Sequence, residues 1–260
     1  MSLEASEQCQ GLTVRLLSAG GMSAPVTSTT CEPSWALHPG SVGLVCAEPY
    51  FHDDRYCKTW GRAGLLRYWL SVEALSPYLT ESALLLPYCC RLHVALVQCS
   101  ALWNARKPCP ASVEGLDLQA INTLHSFDKT DSVQLWKHHF TALSAGTSTL
   151  FMNFYEPTVD AHSTTTTSVL ATESGVCHAV VLWLEYSGAA GSRGATEPVV
   201  GESKWFDGGP PLGAGKEAAP YLQGIRYLRE PLTVGAGDSI VVKTVLDVLQ
   251  GVLTATVVPP

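Results

Sequence analysis

Apolar residues along this chain fall into two regimes that meet near Pro87. Before it, Leu12 to Leu17 (LTVRLL) alternates enough for a strand, and Gly20, Gly21 and a Ser/Thr-rich run behind it predict a loop. Ser41 to Ala47 (SVGLVCA) is a short continuous apolar run ended by Glu48 and Pro49, the signature of a buried strand whose carboxyl end carries an acid into a loop. From Trp60 to Leu75 apolar residues recur at helical spacing, with Pro77 just beyond. Ala83 to Leu86 is a further short apolar strand stopped by Pro87. Strand, loop, strand, helix, strand predicts a parallel α/β layer.

Beyond Pro87 the runs Arg91 to Gln98, Thr149 to Tyr155, His178 to Tyr186, Gly224 to Arg229 and Ser239 to Val245 are strand-like and separated by turn-rich stretches. Only Val113 to Leu124 looks briefly helical, while Ser163 to Ser168 (STTTTS) and Gly188 to Gly215 read as mobile loops. The second half is thus expected to be an antiparallel barrel or sandwich.

Composition adds limits. The 260 residues are 46% hydrophobic and 15% charged, as in a folded globular protein. A net charge of -7 with 16 Lys and Arg excludes a protein that coats nucleic-acid backbones, and it suits a basic partner better. The nine cysteines are scattered and odd in number, so they read as reduced, mostly buried thiols rather than a disulfide framework. No secretory leader follows Met1, and the apolar tract from Ser82 to Trp103 is broken by Pro87, Arg91 and His93. An intracellular protein of the cytoplasm or nucleus, off the membrane, is the expectation.

Particular words in both halves resemble the protein arginine methyltransferases. VGLVCAEPYF (Val42 to Phe51) is similar to the family's fourth strand and the start of its double-glutamate loop. EGLDLQAIN (Glu114 to Asn122) resembles its "GFD" segment, and LWKHHFTALS (Leu135 to Ser144) and HAVVLWLEYS (His178 to Ser187) resemble barrel strands of the second module of the type 7 members. YLQGIRYLREPLTVGAGDSI (Tyr221 to Ile240) resembles the stretch after the family's Thr-His-Trp loop. The resemblance implies a truncated Rossmann-like methyltransferase layer over 1–87, with strands 3 to 5 and one helix, followed by an arginine-methyltransferase-type barrel over 88–260.

Active members move a methyl group from S-adenosylmethionine to a guanidinium nitrogen. That chemistry needs a glycine turn and an acid to hold the nucleoside, and two carboxylates to grip the planar guanidinium through charge-assisted bonds. Here no GxGxG word precedes the first recognisable strand, so the chain is expected to begin near the family's third strand, as a piece of a longer product or with an obligate partner, and to bind no cofactor itself. Glu48 matches the first glutamate, but Cys57 stands nine residues on where the second belongs. Asp53 and Asp54 lie between them at the wrong spacing and read better as turn or cap residues. Ala219, Pro220 and Tyr221 occupy the Thr-His-Trp position, and only Gln223 continues that pattern.

Other chemistry-bearing residues read as structural. His138 and His139 point to opposite faces if they lie on a strand, as do Cys89 and Cys90, so neither pair suits a metal. His178 before a barrel strand is expected to be structural, and Trp103, Trp136 and Trp183 to be core. Three readings follow. The first is a pseudoenzyme module acting as scaffold and pseudo-dimer partner for a catalytic arginine methyltransferase module on the same or another chain, with arginine-containing proteins as the substrates of the pair. The second is an active S-adenosylmethionine-dependent arginine methyltransferase. The third is an unrelated β-rich interaction protein.

Overall fold

The computed structural model describes residues 2–4, 26–28, 38–46, 65–124, 129–158, 162–187, 191–192, 205–207 and 222–258. The strand expected at Leu12 to Leu17 lies outside these, as do the first residues of the helix expected from Trp60. The first elements are β1 (Ser2–Glu4) and β2 (Val26–Ser28), an in-register parallel pair.

Strand β3 (Val42–Cys46) runs parallel to β4 (Leu79–Leu86), and helix α1 (Arg67–Leu75) lies between them in sequence. This β-α-β unit forms because the helix carries Tyr68, Trp69, Val72 and Leu75 on one stripe, all buried, and ends where Ser76 and Pro77 open a 3-10 turn. The expectation of a buried β3 is corrected. Only Val42 is buried, and Leu44 and Leu84, register partners across the strand pair, are 43% and 40% exposed. One face of the strand pair meets the helix and core through Val45 and Leu85; the other is open.

A cis Leu86–Pro87 bond hands the chain to β5 (Cys89–Gln98), which leads into helix α2 (Ser100–Asn104). Residues 113–118, expected to be helical, instead make a tight hairpin of β6 (Ser112–Val113) and β7 (Leu116–Asp117). Its turn residues Glu114 and Gly115 both have positive φ, 51° and 83°, the twist that suits a two-residue hairpin. Only Gln119–Leu124 is helix, α3.

The strands β8 (Asp131–Val133), β9 (Thr141–Ala142), β10 (Thr147–Asn153), β11 (His162–Leu170), β12 (Gly175–Ser187), β13 (Gly191–Ser192), β14 (Trp205–Asp207), β15 (Gln223–Val234), β16 (Ser239–Asp247) and β17 (Val252–Val257) complete the order. A seven-stranded antiparallel sheet runs β10-β5-β12-β15-β8, with β9 on β5 and β14 on β12, and a three-stranded sheet runs β11-β16-β17. They pack together as a sandwich and are not hydrogen-bonded into a closed barrel. At the β8 side the two sheets touch through Thr130 and Thr254, whose hydroxyls are 3.0 Å apart.

Val94 to Val97 of β5 and Ala179 to Leu184 of β12 are apolar without a break because both faces of the strands are covered there. Leu92, Val94, Leu96, Val180, Leu182 and Leu184 face a core completed by Val242, Leu246 and Leu253 of the small sheet and by Leu65, Trp69 and Val72. The alternate residues Ala95, Val97, Ala179, Val181 and Trp183 face a second cluster with Leu135, Ile225 and Tyr227, flanked by Leu102, Trp103 and Phe140.

The Ser163 to Ser168 stretch is a correction too. It is not a loop but the middle of β11, paired to β16 over nine unbroken register positions. Within Leu135 to Ser144, expected as a barrel strand, Leu135–Lys137 is a 3-10 turn and only Thr141–Ala142 is strand. The Gly188 to Gly215 stretch falls largely outside the described residues, but its Gly191–Ser192 pairs with β4 and its Trp205–Asp207 with β12.

Candidate functional site

Glu48 follows the carboxyl end of β3 by two residues in sequence, and in parallel α/β layers ligands sit at that end of the strands. Glu48, Asp53, Asp54 and Cys57 all lie outside the described residues, as do Ala219, Pro220 and Tyr221. At the carboxyl ends of β3 and β4 the described side chains are Cys46, exposed, Leu86, half-buried, and Tyr88, buried. Among these described side chains none offers a glycine turn or a carboxylate for a ribose. Five hydrogen bonds lock this end of the layer to the sandwich. Tyr68 Oη donates to the Pro87 carbonyl at 2.6 Å, Tyr155 Oη to the Ala83 carbonyl at 2.7 Å and Trp69 Nε1 to the Glu156 carbonyl at 2.8 Å. The Glu73 carboxylate accepts from both the backbone N–H and the hydroxyl of Thr158. Burial first, then the Cys46 thiol nearby, pushes the Tyr68 phenol well above its ordinary range, so it stays a neutral donor.

Gln223 is structural. It is wholly buried at the start of β15, and its Oε1 accepts the Leu135 N–H at 3.2 Å. His178 is buried, and its Nδ1 accepts the Cys99 N–H at 3.3 Å, which leaves it no freedom to act as a base. Burial also lowers its pKa, so the ring is neutral at pH 7. His138 and His139 sit in the exposed loop after the 3-10 turn, not on a strand. Cys89 and Cys90 are both buried, because β5 is covered on both sides there, and burial pushes the Cys90 thiol far up. Of the three tryptophans, only Trp183 is fully buried; Trp103 and Trp136 are half-exposed. Among the described residues no group of three or more His, Cys, Asp or Glu could hold a metal ion, and no helix is long and apolar enough to cross a membrane.

The sequence reading missed a pair beside the second cluster. His93 Nε2 and Glu185 Oε2 are 3.0 Å apart, and the His93 ring stacks on Trp183, its cross-strand partner, at 5.3 Å and 17°. Only the β5–β12 register brings these residues together, so no local signal could have found them.

It also missed the most distinctive surface. Between α2 and α3 the chain projects as an arm whose residues 104–117 are all exposed. The root is fixed: Trp103 Nε1 donates to the Leu228 carbonyl at 2.8 Å, Lys107 lies over the Trp103 ring at 5.6 Å, and Arg106 reaches Asp131 at 3.4 Å. The arm is also braced internally. The Asn122 side chain accepts the Cys109 N–H at 2.8 Å and donates to the Cys109 carbonyl at 2.9 Å. Leu118 N–H donates to the Ala111 carbonyl, and Asp117 Oδ1 accepts the Gln119 N–H at the start of α3. On this braced frame Val113, Leu116 and Ile121 are 42%, 68% and 52% exposed. The helical spacing of Val113 to Leu124 gives no sign that these apolar side chains are exposed.

The described residues thus form an α/β plus β chain, a parallel β-α-β layer joined to an antiparallel sandwich with an arm projecting between the first two long sandwich strands. No family model matches the chain. It is 30% identical over 178 residues to protein arginine N-methyltransferase 7 of Xenopus laevis, covering 64% of this chain and 25% of that protein. The mouse protein of the same name is 27% identical over 157 residues, covering 58% and 22%. Protein arginine N-methyltransferase 1.6 of Arabidopsis thaliana is 24% identical over 222 residues, covering 81% and 28%. Among solved structures, the PRMT1 enzyme-prozyme heterotetrameric complex with AdoHcy from Trypanosoma brucei superposes with a TM-score of 0.63 at 14% identity, over 94% of this chain and 69% of that one. At that identity the likeness is one of fold. By these matches the chain resembles the protein arginine methyltransferases, and it spans about a quarter of the length of the curated relatives it matches.

Proposed function

We propose that this chain is a pseudoenzyme module that binds a catalytic arginine methyltransferase module, on the same or another chain, and holds it in the paired arrangement. The observation that carries this reading is the arm. Its residues 104–117 are exposed, yet its backbone is braced by Asn122, Leu118 and Asp117, so little ordering entropy is lost when Val113, Leu116 and Ile121 are buried against a partner. An apolar surface on a rigid frame is what an interface needs and an isolated soluble domain does not. The trypanosomal complex, an enzyme with a prozyme, supports a division of labour of this kind. So does the sequence, in which Glu48 is matched by Cys57 rather than a second glutamate. In this reading S-adenosylmethionine and the arginine-containing protein substrate are handled by the partner.

Co-expression with a catalytic module followed by size-exclusion chromatography tests it, with co-elution expected; separate elution at micromolar concentration sinks the scaffold reading. Calorimetry with S-adenosylmethionine addresses the competing enzymatic reading. No heat of binding is expected for this chain alone, and a saturable isotherm would favour an active methyltransferase.

A further inference from the structure

We draw no further inference here: the strongest candidate, the apolar groove of about 350 Å³ between α1 and the turn joining β16 to β17, lined by Leu66, Leu70, Ala74, Val248 and Leu249, carries nothing because nothing in the structure shows what covers it.

Discussion

The indole Nε1–H of Trp69 donates to the carbonyl oxygen of Glu156 at 2.8 Å, while the indole ring meets Phe154 edge-on at 5.6 Å. One side chain from the α/β layer thus fills the shared core and satisfies a backbone group of the sandwich. Trp69→Phe keeps an aromatic ring but leaves that carbonyl without its donor, a loss of about 1–3 kcal/mol. Trp69→Ala also opens a cavity and is expected to cost about 3–5 kcal/mol. Urea unfolding of the two variants checks the ordering; equal costs would mean that the hydrogen bond contributes as much as the whole ring.

Gly175 opens β12 where a Cβ would stand 2.7 Å from Gln98 Oε1 and 2.8 Å from Leu143 Cδ2. The Gln98 oxygen cannot retreat freely, because it accepts the Val176 N–H at 2.8 Å. Gly175→Ala is therefore expected to destabilise by about 1–3 kcal/mol through overpacking. A neutral or stabilising effect in thermal melts would contradict the close approach.

Leu116 lies at the tip of the arm, 68% exposed, and touches no core cluster among the described residues. Leu116→Glu should leave folding stability within about 0.5 kcal/mol of the parent. Against a catalytic module it should weaken association by about 2 kcal/mol, or about thirtyfold. Fluorescence titration reads the second effect and denaturant melts the first; unchanged affinity would remove the arm from the interface.

His178 supplies a pH dependence whose sign follows from its burial. Its pKa is lowered in the folded chain relative to the ordinary 6.5, so the unfolded chain binds more protons in the window just below that value. Its contribution to stability is complete above pH 6.5 and is lost as pH falls from there through the folded pKa. The urea midpoint of the parent is expected to fall between pH 7 and pH 5 more steeply than that of His178→Gln. Parallel slopes for the two would show that His178 is not the titrating group.

The thiols divide by burial. Burial pushes Cys99 up to about 12 and Cys177 up to about 11, while Cys46 and Cys109 are exposed. Iodoacetamide at pH 8 should label Cys46 and Cys109 in the native chain and reach Cys99 and Cys177 only after denaturation. Peptide mass spectrometry distinguishes them, and rapid native labelling of Cys177 would place it at the surface.

The sequence by itself determined the elements whose own composition forces one conformation. Arg91 to Gln98, His178 to Tyr186 and Ser239 to Val245 are strands because β-branched and aromatic residues crowd them, and α1 is a helix because its apolar residues recur on one stripe. The family words also lay in the sequence, since they are local. Tertiary structure decided what depends on partners distant in the chain. Ser163 to Ser168 has no apolar alternation to mark it, and it becomes a strand only because β16 offers nine consecutive backbone partners. The 113–124 stretch has the spacing of a helix. The positive φ angles at Glu114 and Gly115 fold its first half back as a hairpin, and Asn122 clasps Cys109 across 13 residues to hold it out from the core. The same limit applied to the candidate site: Gln223 is a buried tie because Leu135 stands opposite it, 88 residues away in sequence. Hydrophobic patterning reports what a residue prefers to bury; which surface is left over for a partner is decided by how the buried ones pack.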